Sequence, residues 1–432
     1  MPTSPTVRSV PLHLVRSILL ASAWLATSHA LTAHAQRITV KSSDYATLGN
    51  PTSAIETPDG RYVFISVTNV GAPNFTGPDA AAGSRKDVVS GIQVFRVSHH
   101  KLAPSGFIRT GSAGANGLVL LRGGQTLVVG VGDEGVAFLN VQDMLNGHAT
   151  PTIVSQGEKA GTFDVAATPD GRYIFAANEY GVIDGQRGNV GVIATGVDEH
   201  GLVANPKPIR QIPVGDVVPS LTLSHDGRRV NVATELVPST HAPAIAGAND
   251  PLLAKTDCIQ KKGTSARRNG FISVIDTELA TETSPTREPI VARVAAGCSP
   301  VRLAESADGS SLFVTARGDN AVLQYNAAIL PTDPEHSFQR AIPSGGDAPV
   351  GLRLFDHDRL IAVANSNRFS DAPGNLAILT ATNTPALLER LPAGLFPRNI
   401  SNSTSDGELL LTNYTSRTLS LISVTSLRSS RP

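Results

Sequence analysis

Apolar positions in this chain come in short runs broken by Gly, Asn, Asp and Pro, and one phrase recurs through them. It reads ETPDGRYVFISVTN from Glu56, ATPDGRYIFAANE from Ala167, LSHDGRRVNVATE from Leu223, ESADGSSLFVTARGDN from Glu305 and STSDGELLLTNY from Ser403. Weaker copies are LLRGGQTLVVGVGDE from Leu120 and LFDHDRLIAVANSN from Leu354. Each copy predicts two strands joined by a tight turn of the Asp-Gly kind. A third apolar run follows every copy: GIQVFRV from Gly91, GVAFLNV from Gly135, NVGVIAT from Asn189, GFISVIDT from Gly270, NAVLQYN from Asn320, NLAILTA from Asn375 and TLSLISV from Thr418. No sustained period of 3.6 competes with these strands.

Short strand groups that repeat must stack to bury their faces. Three clear strands and a more variable fourth per copy predict an all-β fold, a seven-bladed β-propeller of four-stranded antiparallel blades. The segment from Arg37 to Val40 is expected to complete the last blade and close the ring. Roughly 57 residues per blade, from 432 less the first 35, exceed the roughly 40–50 usual for such repeats. The surplus is placed in insertions at 72–90, 181–188, 237–269 and 367–374, between second and third strands of blades 1, 3, 4 and 6. In a four-stranded blade that connection shares a face with the lead-in to the first strand, so the insertions crown one face, where binding is expected.

Composition changes the picture at the N-terminus. Arg8 and Arg16 precede a short apolar stretch at 18–26, and Ala33-His34-Ala35 forms an A-x-A site before Gln36. The stretch is well short of the roughly 20 residues of a membrane helix. Residues 1–35 therefore read as a cleaved signal peptide, with 36–432 a single propeller domain that is periplasmic or extracellular and has no transmembrane segment. Cleavage removes two arginines and no acid from balanced totals of 36 each, leaving a charge of about −2. A near-neutral chain without a basic block excludes nucleic acid as a partner. Cys258 and Cys298, the only cysteines, are expected to form one disulfide in an oxidising compartment. A monomer is expected.

The GxxP lead-ins, the PDG turns, Ala176-Ala177-Asn178 and Val274-Ile275-Asp276 resemble the YVTN-type β-propeller repeat, across nearly the whole mature chain. The resemblance implies a repeat propeller of a kind shared by surface proteins, quinoprotein-like enzymes and lactonase-like hydrolases. Asn178-Glu179 after a PDG-Y strand is similar to the lactonase-like group. Trp24, the only tryptophan, leaves with the signal, and there is no C-x-x-C-H haem motif, which disfavours a quinone-dependent dehydrogenase.

Recognised catalytic signatures are absent: no H-E-x-x-H, G-x-S-x-G or Walker loop occurs. The G-x-G-x-x-G at 130–135 is followed by a strand-like run instead of a helix, so it reads as a turn. What remains is the polar set expected near the ring axis. Arg302, Arg353 and Arg398 suit a carboxylate or phosphate because guanidinium donates in a planar fork, and Asp164 and Asn178 stand close by. The loops after second strands add Asp133, Glu179, Glu235 and Arg317. Asp133, Glu179 and Glu235 are hard oxygen donors of the kind a divalent metal uses, although no loop motif joins them; no other cofactor is identifiable. The leading expectation is a non-catalytic module binding a small anionic molecule or a protein. The alternative is a lactonase-like hydrolase in which Glu179 or Glu235 activates water directly or through a metal.

Overall fold

Each copy of the repeated phrase is an antiparallel hairpin in the computed structural model, and its turn is held by the residues that recur. Thr57, Thr168, Ser224 and Ser306 donate their hydroxyls to Asp59, Asp170, Asp226 and Asp308, each at 2.6 Å. The same carboxylates accept backbone N–H groups two residues on, as expected for short side chains that replace backbone partners in turns. The following glycines, Gly60, Gly171, Gly227 and Gly309, take φ of 67–73°, a region costly for other residues. These bonds lower the pKa of the turn aspartates, that of Asp308 to about 2.

The structure describes residues 37–71, 89–111, 114–183, 185–238, 243–253, 258, 269–284 and 287–427. Within Arg37–Pro432, one compact unit, the strands form seven antiparallel sheets of four. Blade 1 runs Asn50–Glu56, Tyr62–Val70, Val89–Ser98 and Lys101–Gly111, and blade 3 runs Thr162–Ala167, Tyr173–Ile183, Gln186–Ala194 and Lys207–Pro213. The innermost strands of blades 2, 4, 5, 6 and 7 are Leu118–Leu120, Ser220–Leu223, Pro300–Glu305, Pro349–Phe355 and Pro397–Asn402. Blade 7 takes its outer strand from the start of the chain. Arg37–Ala46 pairs with Thr418–Leu427 through ten residues, from Arg37 opposite Leu427 to Ala46 opposite Thr418. The expected closing strand is therefore present and longer than the four residues that suggested it.

Seven apolar clusters hold the ring, one at every junction between neighbouring blades. Along Tyr62–Val70, Phe64 packs toward blade 2 while Val63 and Ile65 pack toward blade 7. Both faces of a second strand are buried, so it reads as a continuous apolar run instead of an alternating one.

The asparagine that ends several copies has a structural job. Asn178, Asn365 and Asn413 are fully buried. Their amides donate to Asn189 Oδ1 at 2.8 Å, Asn375 Oδ1 at 3.0 Å and Ser420 Oγ at 2.9 Å, tying second strand to third. Asp276, the aspartate of the V-x-V-I-D run, caps a short helix at Thr277–Thr281 by accepting from Glu278 and Leu279 N–H, and it pairs with Arg229 at 2.9 Å. The G-x-G-x-x-G stretch is a turn closed by Val131 N–H to Gly135 O at 2.8 Å, with the strand Val136–Asn140 following.

Of the expected insertions, 181–188 continues the two middle strands of blade 3 as a projecting hairpin. The loop at 367–374 lies over the ring axis, as its pocket contacts below show. Most of 72–90 and much of 237–269 fall outside the described residues, as do residues 1–35, where a signal peptide is expected. Cys258 and Cys298 form the expected disulfide, with Cα atoms 5.5 Å apart. No helix among the described residues is long and apolar enough to cross a membrane.

Candidate functional site

Two recurring places in the blades build a pocket of about 220 Å³ at the mouth of the channel. The starts of innermost strands supply Phe163, Val301, Arg302, Val350 and Arg398; Glu179 and Tyr180 come from the second strand of blade 3, and Glu235, Arg317, Arg368 and Tyr414 follow the second strands of blades 4 to 7. The lead-ins add Pro219, Leu395 and Phe396, and the blade 6 insertion adds 368–372. Blades 3 to 7 contribute, and the acids and arginines are largely divided between them, Asp371 of the blade 6 insertion being the exception. Glu179 and Glu235 stand on blades 3 and 4; Arg302, Arg317, Arg368 and Arg398 stand on blades 5, 6 and 7.

The arginines are positioned by rings as well as by hydrogen bonds. Arg398 lies with Cζ 4.8 Å from the Phe163 centroid and 4.9 Å from that of Tyr414. Tyr414 meets Phe396 edge-on at 5.6 Å, and Arg368 lies 5.8 Å over Phe396. Such cation–π contacts are worth about 0.5–2 kcal/mol, and Tyr414 also hydrogen-bonds the Arg398 side chain. Arg302 donates to Pro219 O at 2.8 Å, and its buried Nε has no hydrogen-bond partner. Burial lowers the pKa of both, that of Arg398 to about 10.

The two acids differ in their surroundings. Glu235 Oε2 accepts from Arg317 Nη2 at 2.6 Å, with side chains only 5% and 4% exposed. Glu179 makes no ion pair among the described residues. Burial in the pocket, and then repulsion by Glu235, push its carboxyl up to about 7, with the Tyr180 hydroxyl, Arg398 and Arg368 opposing weakly.

Because the folded form holds the Glu179 proton more tightly than the unfolded chain, its ionisation costs stability. That cost is absent below the ordinary pKa of 4.5, grows as pH rises toward 7 and is constant above. Glu179→Gln is expected to stabilise the fold at pH 8 by about 1–3 kcal/mol and to have little effect near pH 4. Urea melts of both proteins at the two pH values check this; equal curves at pH 8 would contradict it.

The remaining sequence candidates sit elsewhere. Arg353 lies two residues further along its inner strand than Arg302 does, and four beyond the lead-in proline where Arg398 is one. At about 3.3 Å per residue this carries Arg353 toward the opposite end of the channel, beside Glu305 and Asp358. Asp164 is next to Phe163 but accepts from Ser220 Oγ at 2.8 Å outside the pocket lining; burial raises its pKa while Arg302 holds it down. Asn178 is the strand latch described above and does not reach the pocket. Asp133 is exposed, accepts from Gly161 N–H at 3.1 Å and does not line the pocket. Among the described residues, the one group of acids and histidines with ligand atoms mutually within 4.8 Å is Asp356, His357 and Asp406, on the turn face.

Phe163, Tyr180, Phe396, Tyr414 and Arg368 escaped the sequence reading, which weighed tryptophan alone among aromatics. The signal was available: Phe163 starts an inner strand, Tyr180, Arg368 and Tyr414 stand at or just beyond the repeat position of the acids, and Phe396 is the lead-in residue before Pro397.

No protein-family model and no curated protein matches the sequence. Solved structures do resemble it. A chain described under the crystal structure of the mitotic checkpoint complex has a TM-score of 0.58 at 11% identity, covering 88% of this chain and 92% of that one. Kuenenia stuttgartiensis hydrazine synthase gives 0.58 at 14% identity over 89% and 96%, and the β-propeller domain of Myceliophteria thermophila Cps50 (Swd1) gives 0.55 at 11% over 89% and 99%. Likeness at this level of identity concerns the fold. The protein is a seven-bladed β-propeller with a pocket of acids, arginines and aromatic rings at one mouth of its channel.

Proposed function

We propose that the protein is an exported binding module of the YVTN-repeat type, whose channel-mouth pocket captures a small molecule bearing a carboxylate or phosphate. The observation that carries this reading is Arg398, held 4.8 and 4.9 Å from the Phe163 and Tyr414 rings beside Arg302 and Arg368, with no carboxylate paired to it among the described residues. A propeller is commonly an interaction scaffold, and the disulfide and the absence of a membrane-spanning helix among the described residues fit export. A pocket of about 220 Å³ lies below the roughly 300–1,000 Å³ that holds drug-sized ligands, which favours a compact metabolite over a peptide.

Calorimetric titration with phosphate, succinate and 3-phenylpropionate tests the reading. A hydrogen bond to a charged group is worth about 1.5–3 kcal/mol, so Arg398→Ala and Arg302→Ala should each weaken a binding probe by about 10- to 100-fold while the circular dichroism spectrum stays unchanged. Unaltered affinity in both variants, or no binding of any anion, would refute it.

A second reading, a lactonase-like hydrolase, is favoured by Glu179, whose carboxyl titrates near 7 where a general base or acid works best. It requires lactone turnover, with or without added calcium, magnesium, manganese or zinc, that is lost in Glu179→Gln.

A further inference from the structure

The pocket holds charge of both signs, and two of its charged groups close no ion pair. Glu179 faces Glu235; Glu235 is matched by Arg317 at 2.6 Å, whereas Glu179 feels Arg398 and Arg368 only through space and pairs with no cation among the described residues. Arg398, on blade 7, lies against the Phe163 and Tyr414 rings and makes no ion pair among the described residues; Arg302, on blade 5, has Asp164 and Glu179 as counter-charges, but it gives its Nη1 to a neutral carbonyl and its buried Nε lacks an acceptor. Desolvated charges of this kind are costly unless something pairs them closely. A simple anion would satisfy the arginines but draw on the charge that now steadies Glu179. A simple cation would do the reverse. Between these groups, Phe163, Val301, Val350 and Phe396 offer an apolar wall.

Resting on the anion-binding reading above, we propose that the pocket takes a small zwitterion: a carboxylate held by Arg398 and Arg302, a protonated amine held by Glu179, and an apolar body against the wall between them. An α- or β-amino acid with an apolar side chain has this chemistry and a size compatible with the pocket. The ligand ammonium supplies the close counter-charge that Glu179 lacks, and it relieves the repulsion from Glu235. Because the amine end needs an ionised Glu179, zwitterion affinity should rise as pH is taken from 6 to 8, while that of a plain carboxylate should not.

The test uses two matched sets of probes on the full mature chain by calorimetry or ligand-observed NMR. One is L-phenylalanine, 3-phenylpropionate and 2-phenylethylamine; the other is L-leucine, 4-methylpentanoate and 3-methylbutylamine. At pH 8 at least one zwitterion should bind ten-fold or more tighter than both of its partners. Glu179→Gln, which keeps side-chain shape, should abolish the advantage over the plain acid, and Arg398→Gln the advantage over the amine. If the plain acids bind as tightly as the zwitterions, the zwitterion proposal fails and the anion reading stands. If the amines bind best, or nothing binds, both fail. An advantage that persists in Glu179→Gln would also overturn the assignment of the amine end.

Discussion

Arg317→Ala is expected to destabilise the propeller by about 3–5 kcal/mol, far more than a surface substitution, because it leaves Glu235 buried beside Glu179 with its main counter-charge gone. Forming a buried ion pair gives little net stability, since desolvation offsets the attraction; breaking one exposes the whole desolvation cost. The paired replacement Arg317→Met with Glu235→Leu should therefore recover most of the loss. Urea unfolding at pH 7, with the slope unchanged so that midpoints report stability, separates the three proteins. A loss below about 1 kcal/mol in the single variant would mean that water reaches the pair as it does at a surface.

Reduction of Cys258–Cys298 should cost about 4 kcal/mol on chain-entropy grounds, given a separation of 40 residues. Thiol titration of the denatured, unreduced protein should find none free, and the reduced protein or Cys258→Ser should melt at lower temperature. The effect should also reach the pocket. Cys298 donates its N–H to Asp319 at 2.7 Å and accepts from Gly318 N–H at 2.9 Å, and Arg317 N–H donates to Ser299 O at 3.1 Å. The bridge thus anchors the lead-in to Arg302 and the loop that bears Arg317. Two titratable thiols in protein from an oxidising compartment would contradict the first expectation, and unchanged anion affinity after reduction the second.

The repeat was legible because its chemistry is local. Asp-Gly turns with a preceding hydroxyl residue, and second strands apolar on both faces, announce themselves within a dozen residues, and counting them predicts the ring. The site is non-local, and only half of it could be read. Glu179, Glu235 and Arg302 stood out as charges in register with one another, and they do meet at the pocket. Arg353 looked equivalent to Arg302 and Arg398, but a shift of two or three positions along a strand carries it down the channel, and only aligned register would have revealed that. Asn178 looked like a ligand because it recurs; its burial and its bond to Asn189 show that recurrence here marks a strand latch. The aromatic clasp around Arg398 joins blades 3 and 7, more than two hundred residues apart in sequence, and no local pattern encodes such a meeting.

Blade 7 is sewn from both ends of the chain, Arg37–Ala46 against Thr418–Leu427, and this sets an order of events. During synthesis, blades 1 to 6 have all their strands once Leu387–Pro392 has been made, yet the first strand has no partner until the residues around Thr418 follow. Until then the growing molecule is an open arc, with the exposed faces of blade 1 and of the newest blade awaiting a neighbour. Contacts of such sequence separation make folding slow, and the interval leaves unpaired edges that invite association with other chains. Assembly of this propeller should therefore depend on how fast its last segment is delivered, and dilution or a holding chaperone should raise the yield of closed rings without altering the stability of a ring once formed.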